Sequence, residues 1–182
     1  IAGVAPGINI RVIPLNEENL PYELQSGKVD LAIGYINTLE KGFDCEELMV
    51  EDFVSIVRGN HPKIKNSLTI KQFSSIPHVV TAPRAGELTI DQILSEKGNR
   101  RIIALQVPNF LSIPPIISST NYISTIPMRV AQAYAKHMNL TLLKPPVALQ
   151  KRSINQYWHT HKNKDSSHTW LRRSLIEICN NL

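Results

Sequence analysis

From Val29 to Ile36 the chain reads Val-Asp-Leu-Ala-Ile-Gly-Tyr-Ile, an apolar run that hardly alternates. A strand with one wet face alternates apolar and polar residues, so this run predicts a strand buried on both faces. Such a strand needs helices to cover it. The chain supplies helix signals in alternation with strand signals almost from end to end. Asn9–Leu15 is a β-rich alternating run, and Asn16 offers a side-chain cap for a helix carrying Leu20, Tyr22 and Leu24 that stops at Gly27. Leu48–Arg58 contains a strand closed by Gly59-Asn60-His61-Pro62. Thr69-Ile70-Lys71-Gln72 and Thr89-Ile90-Asp91-Gln92 both fit the Thr-x-x-Gln capping box, so a helix starts at each. The second carries Ile90, Ile93 and Leu94 and stops at Gly98, a good left-handed cap.

Strands follow at His78–Ala82, Ile102–Val107, Tyr122–Ile126, Leu140–Leu143 and Ile154–His159. Between them lie an apolar helix through Phe110, Ile113, Ile116 and Ile117, and a second over Met128–Met138 with Pro127 in its first turn. Leu171, Leu175, Ile178 and Leu182 recur at helical spacing in a last helix capped by Asp165 or Ser166. The reading is α/β, with mainly parallel sheets and crossover helices.

With 182 residues, 42% of them hydrophobic, the chain suits one globular unit or two small lobes. No apolar stretch approaches the roughly 18 residues of a membrane helix. Cys45 and Cys179 read as idle thiols of a reducing cytosol. Charge is lopsided: residues 1–91 hold 8 Lys/Arg against 12 Asp/Glu, and residues 92–182 hold 12 against 3. The basic side chains are scattered in ones and twos without a groove-reading element, so they read as a solvated surface or one facing an acidic sister subunit. His159 and His161 share a strand face, yet no third ligand at suitable spacing accompanies them, and no metal is expected. No Gly-x-Ser-x-Gly elbow, P-loop or G-x-G-x-x-G is present, so neither catalysis nor a nucleotide cofactor is expected.

Several phrases in order resemble the effector-sensing domain of LysR-type transcriptional regulators. They are Ala5-Pro6-Gly7 before Ile10–Leu15, the Leu24–Gly34 stretch (LQSGKVDLAIG), His61-Pro62, and Leu68–Phe73 (LTIKQF). Val107-Pro108-Asn109-Phe110, Ile123–Arg129 (ISTIPMR), Trp158-His159 and Trp170-Leu171-Arg172 are similar to the branch that senses aromatic acids, nitroaromatics and flavonoids. That branch usually has histidine where Asn109 stands. The resemblance implies a two-lobe, periplasmic-binding-protein-like (type II) fold lacking the first strand of lobe I. Lobe I would be residues 1–57 plus 151–182, and lobe II residues 58–150.

It further implies a small-molecule effector, an aromatic acid, held between the lobes of a cytoplasmic, non-enzymatic sensor. Homodimers or tetramers would form, there would be no membrane partner, and DNA would be bound only through an N-terminal helix-turn-helix absent from these residues. The rival reading is the solute-binding protein of a transporter with the same fold. Candidate effector-binding residues are Tyr35 and Ile36 at a strand end, Arg84 and Gly86 in the loop after His78–Ala82, and Asn109, Phe110 and Ser112 at a helix start. Thr125 either touches ligand or caps a helix. Trp158 is a ligand wall or core, and His159 a structural hydrogen bonder.

Overall fold

The two threonine capping boxes open the helices α2 (Ile70–Ser75) and α3 (Ile90–Glu96). In each, the threonine hydroxyl accepts from the third helical amide while the glutamine carboxamide accepts from the threonine N–H, which satisfies two otherwise orphaned donors. Gly98 follows α3 at a left-handed φ of 68°, the cap that glycine takes without a Cβ clash. A computed structural model describes residues 3, 5–36, 39, 41–82 and 89–181. They fall into two units: unit 1 is Ile1–Val50 with Arg152–Leu182, and unit 2 is Glu51–Lys151.

Unit 2 is built on strands β3 (Phe53–Arg58), β4 (Pro77–Thr81), β5 (Ile102–Val107), β6 (Ser124–Pro127) and β7 (Leu140–Leu143). Strand β3 is central, antiparallel to both β6 and β7. Strands β4 and β5 are parallel, and a parallel bridge from His78 to Ile123 joins β4 to the chain entering β6. Helices α4 (Ile113–Ser119) and α5 (Met128–Ala135) complete the unit. Two clusters form its core: one gathers Val57, Ile64, Phe73, Leu94 and Ile123, the other Val54, Ile56, Val79, Ile113, Ile117 and Ile126. At the β3–β7 corner Gly59 donates to the Asn139 carbonyl at 2.6 Å, and Asn139 itself takes a left-handed φ of 48°.

Unit 1 carries α1 (Leu20–Gln25), β1 (Ala32–Gly34), β2 (Phe43–Glu51), β8 (Arg152–His159) and α6 (Ser166–Asn180). Its sheet order is β1-β8-β2, with β1 antiparallel to β8. The core is smaller: Leu20, Leu24, Ala32, Ile36 and Tyr157. Asp165 caps α6 by accepting from His168 N–H. His168 then accepts from Arg172 on Nδ1, since a guanidinium only donates, and gives Nε2–H to the Asp30 carbonyl at 2.8 Å.

Four expectations need correcting. The sheets are mixed, not mainly parallel, because β1, β6 and β7 meet their neighbours antiparallel. Strand β3, placed in the first lobe from sequence, is the centre of the unit 2 sheet, so the first crossing lies before it. The Val29–Ile36 run is not covered on both faces: β1 ends the sheet order, and Ile33 is exposed. Asn9–Leu15 forms no ladder, since no strand among the described residues pairs with it. Strand β2 was missed altogether, its sequence Phe-Asp-Cys-Glu-Glu-Leu-Met-Val-Glu being too acidic to read as a strand. Among the described residues no helix is long and apolar enough to cross a membrane.

Candidate functional site

In unit 2 the strand polarity collects several candidates at one edge. Strand β4 runs parallel to β5 and, through the His78–Ile123 bridge, to the chain entering β6, so all three end on the same side of the sheet. Ligands of open α/β sheets bind beyond the carboxyl ends of such strands. Asn109, Phe110 and Ser112 follow β5, Thr125 lies in β6, and two inter-strand spacings of about 4.8 Å separate those strands. Arg84 and Gly86, in the loop after β4, lie outside the described residues.

The Asn109 group is tied to itself. The Asn109 side chain accepts from both the Ser112 amide and the Ser112 hydroxyl at 3.1 Å, capping a short 3-10 helix, Phe110–Ser112. One amide that could have met an anion is thereby occupied, and Asn109 serves as cap. Its carboxamide NH2 remains exposed, while Phe110 packs against the apolar cluster below. Thr125 does not cap α5, whose N-cap residue is Pro127. Its hydroxyl pairs at 2.9 Å with that of Ser55 across the β3–β6 ladder.

In unit 1 Tyr35 follows β1 and is half-buried, with the Arg152 guanidinium carbon 4.5 Å from its ring centroid. The antiparallel register explains the meeting: Gly34 pairs with Asn155, so the end of β1 runs alongside the start of β8. Arg152 was not singled out in the sequence, because only the β1–β8 pairing brings it to Tyr35. Ile36 is buried in the unit 1 core, and its backbone N–H and C=O both bond the Tyr157 hydroxyl, at 3.3 and 3.0 Å. Its side chain packs with Leu20, Leu24, Ala32 and Tyr157.

Trp158 is placed likewise. It is buried, its indole N–H donates to Asn163 at 2.7 Å, and Arg172 covers its ring at 4.3 Å. The same register sets Trp158 roughly four residues, about 13 Å, along β8 from the level of Tyr35. It borders a separate depression of about 440 Å³ lined by Asp44, Cys45, Glu46, Thr169, Arg172 and Arg173, where carboxylates and guanidiniums offset one another. His159 packs edge-on against Phe43 and accepts the His161 amide, a structural role.

The LysR substrate binding domain matches residues 3–180, and the chain belongs to that family. The HTH-type transcriptional activator NagR of Ralstonia sp is 36% identical over 98% of this chain, and NahR of Pseudomonas putida is 33% identical over the same share. The chain spans 60% of the length of each. A solved structure, a probable transcriptional regulator from Pseudomonas aeruginosa, superposes with a TM-score of 0.83 at 27% identity, covering 96% of this chain and 58% of that one. The fold is therefore the two-lobe, periplasmic-binding-protein-like α/β fold of LysR effector-binding domains. These relatives are regulators by name, and a transport role finds no support among them.

Proposed function

We propose that this chain is the effector-sensing part of a longer LysR-type transcriptional regulator, that its effector is a small aromatic acid, and that it catalyses no reaction. The observation that carries the reading is the family match over residues 3–180, together with relatives named as transcriptional activators. Sensing is a matter of differential affinity. An effector shifts an arrangement of lobes or subunits only by as much as it binds one arrangement better than another. The regulator would work in the cytoplasm, as an oligomer, and reach DNA through a helix-turn-helix outside these residues.

Two features support an aromatic acid. Arg152 lies over Tyr35, setting a permanent cation beside an aromatic wall at a strand end. Phe110 and the Ser55–Thr125 hydroxyl pair offer an apolar face and neutral hydrogen-bonding groups in unit 2. Tyr35, Arg152, Asn109, Phe110, Ser112 and Thr125 are the proposed contacts, with Arg84 and Gly86 carried from the sequence resemblance.

Calorimetric titration of the 182-residue chain with benzoate-type acids and their uncharged amides tests the reading. A charge-assisted hydrogen bond contributes about 1.5–3 kcal/mol, so Arg152→Ala should weaken acid binding roughly tenfold to a hundredfold. The amides should bind at least tenfold more weakly than the acids. Equal affinity for acid and amide, with no change on losing Arg152, would remove the carboxylate from the proposal.

A further inference from the structure

Between the unit 1 sheet and α6 the packing is polar. Among the described residues the unit 1 apolar cluster takes no side chain from α6. Asp44 and Glu46 alternate along β2 and so share one face, as do Gln156 and Trp158 on β8. Thr169, Arg172 and Arg173 recur at helical spacing along α6. The three elements meet through these residues: Gln156 donates from Nε2 to the Glu46 carboxylate at 3.1 Å and to the Arg172 carbonyl at 3.4 Å, and Arg172 covers the Trp158 ring. The depression of about 440 Å³ described above opens here, with Asp44 and Glu46 on its strand wall and Arg172 and Arg173 on its helix wall. Its volume suits a small molecule.

The charges on the two walls balance in number but do not touch. Among the described residues neither Asp44 nor Glu46 pairs with a cationic side chain, and neither Arg172 nor Arg173 pairs with a carboxylate. Asp44 accepts from Asn163 at 2.7 Å, a neutral partner. Arg172 is fixed by donating to His168 Nδ1 at 2.6 Å and to the Thr169 hydroxyl at 3.3 Å, which leaves part of its donor set unspent. Gln156, whose carboxamide reaches both walls, is fully buried, yet its Oε1 has no donor. Native folds pair almost all buried polar groups, so an orphan acceptor beside two unpaired charged walls marks a place that a donor from outside completes.

We propose that this depression is a second ligand site, within unit 1, for a small zwitterion with the ammonium and carboxylate of a free α-amino acid. The ammonium lies against Asp44 and Glu46, and the carboxylate takes the free guanidinium donors of Arg172 and Arg173. Charge selects this class. A simple anion would meet the two carboxylates and a simple cation the two guanidiniums, whereas a molecule bearing both signs is favoured at each wall. Arg172 is already held in place, so binding costs little of its side-chain freedom. The site is separate from the strand-end contacts proposed for the effector, since Trp158 lies about 13 Å along β8 from the level of Tyr35. It stands whether or not the effector is an aromatic acid. A bound zwitterion would tie α6 to β2 and stabilise unit 1 by mass action.

Calorimetric titration of the 182-residue chain with the standard free α-amino acids, without aromatic acid present, reads the site. At least one should bind with a Kd below about 1 mM. Its methyl ester, which lacks the carboxylate, and its N-acetyl derivative, which lacks the ammonium, should each bind at least tenfold more weakly. Glu46→Gln and Arg173→Gln are both exposed and should each weaken the amino acid at least tenfold, with circular dichroism confirming that the variants are folded. Trp158 borders the site, so in a Trp170→Phe background its emission should change along the calorimetric isotherm. A panel with no member binding below about 1 mM would overturn the proposal. So would an ester or N-acetyl derivative that binds as tightly as the amino acid, an affinity unchanged in either charge variant, or Trp158 emission that stays constant through the titration.

Discussion

Unit 2 and unit 1 solve the same problem with unequal means. Unit 2 gathers two apolar clusters on a central strand whose residues Val54–Val57 are all buried, and its helices α2 and α3 start from complete capping boxes. Unit 1 has a single small cluster, a three-residue edge strand, and an apolar segment before Leu15 that no described strand pairs. It compensates with polar ties: the Tyr157 hydroxyl on Ile36, and the Asp30–His168–Arg172 chain. Polar ties contribute about 1 kcal/mol each, while a buried apolar side chain contributes two or three times that. Unit 2 should therefore hold most of the chain's stability, and unit 1 should be the softer partner.

The largest effect that could break this contrast is a cavity in each core. Phe73 is fully buried, and Phe73→Ala should cost about 3–5 kcal/mol, whereas Leu24→Ala should sit near the lower end of the range for such truncations, about 2 kcal/mol. Urea titrations followed by circular dichroism measure both. Trp158 and Trp170, the only two tryptophans, lie in unit 1, so their fluorescence reads that unit. A costlier Leu24→Ala would reverse the ranking.

Acid sharpens it next. His78 is fully buried against Phe73, gives its Nε2–H to the Phe73 carbonyl at 2.7 Å and has no partner for Nδ1. Burial, with no partner to receive a second proton, lowers its pKa from 6.5 to about 4. The folded pKa lies below the unfolded one, so the stabilisation is complete above pH 6.5 and is lost as pH falls towards 4. At about 1.4 kcal/mol per unit, roughly 3 kcal/mol goes in that window. Melting curves from pH 7 to 4.5 should show the loss, and His78→Gln, which keeps a donor for Phe73, should flatten it. An unchanged slope in His78→Gln would assign the acid sensitivity elsewhere. Asp91, held below the usual carboxylate range by its hydrogen bonds to Arg101, works in the same direction at lower pH, screened by its exposure.

The smallest effect concerns the caps. Thr69→Ala and Thr89→Ala should each cost about 1 kcal/mol, an amount visible as a shifted urea midpoint with an unchanged slope. Hydrogen exchange of the α2 and α3 first turns should rise in the matching variant alone.

How far the sequence could be read follows from the range of each signal. Thr69, Thr89, Gly98 and Asp165 act on neighbours within four residues, so their roles were legible as written. Strand directions were not, because pairing is decided by residues far apart, as when Ala32 meets Tyr157. The candidate site divides along the same line. The strand-end positions of Tyr35, Phe110 and Thr125 came from local pattern, but Thr125's partner Ser55 and Tyr35's partner Arg152 lie at distances no periodicity encodes. Ile36, read as a cleft residue, and Trp158, read as ligand wall or core, are both buried, and an apolar strand end looks the same from sequence whether it faces a ligand or a core.

The Gly59–Asn139 corner restricts the routes by which this sequence could drift. A Cβ added at Gly59 would lie 2.8 Å from the Asn139 side-chain carbon and 2.9 Å from its carbonyl oxygen, nearer than real side chains come. Shortening position 139 would remove the side-chain part of that crowding, and glycine there would also accept the left-handed backbone at no cost. The carbonyl oxygen stays whatever stands at 139, because it is the acceptor of the Gly59 N–H. Position 139 can therefore drift while Gly59 cannot: every replacement at 59 starts by prising β3 from β7.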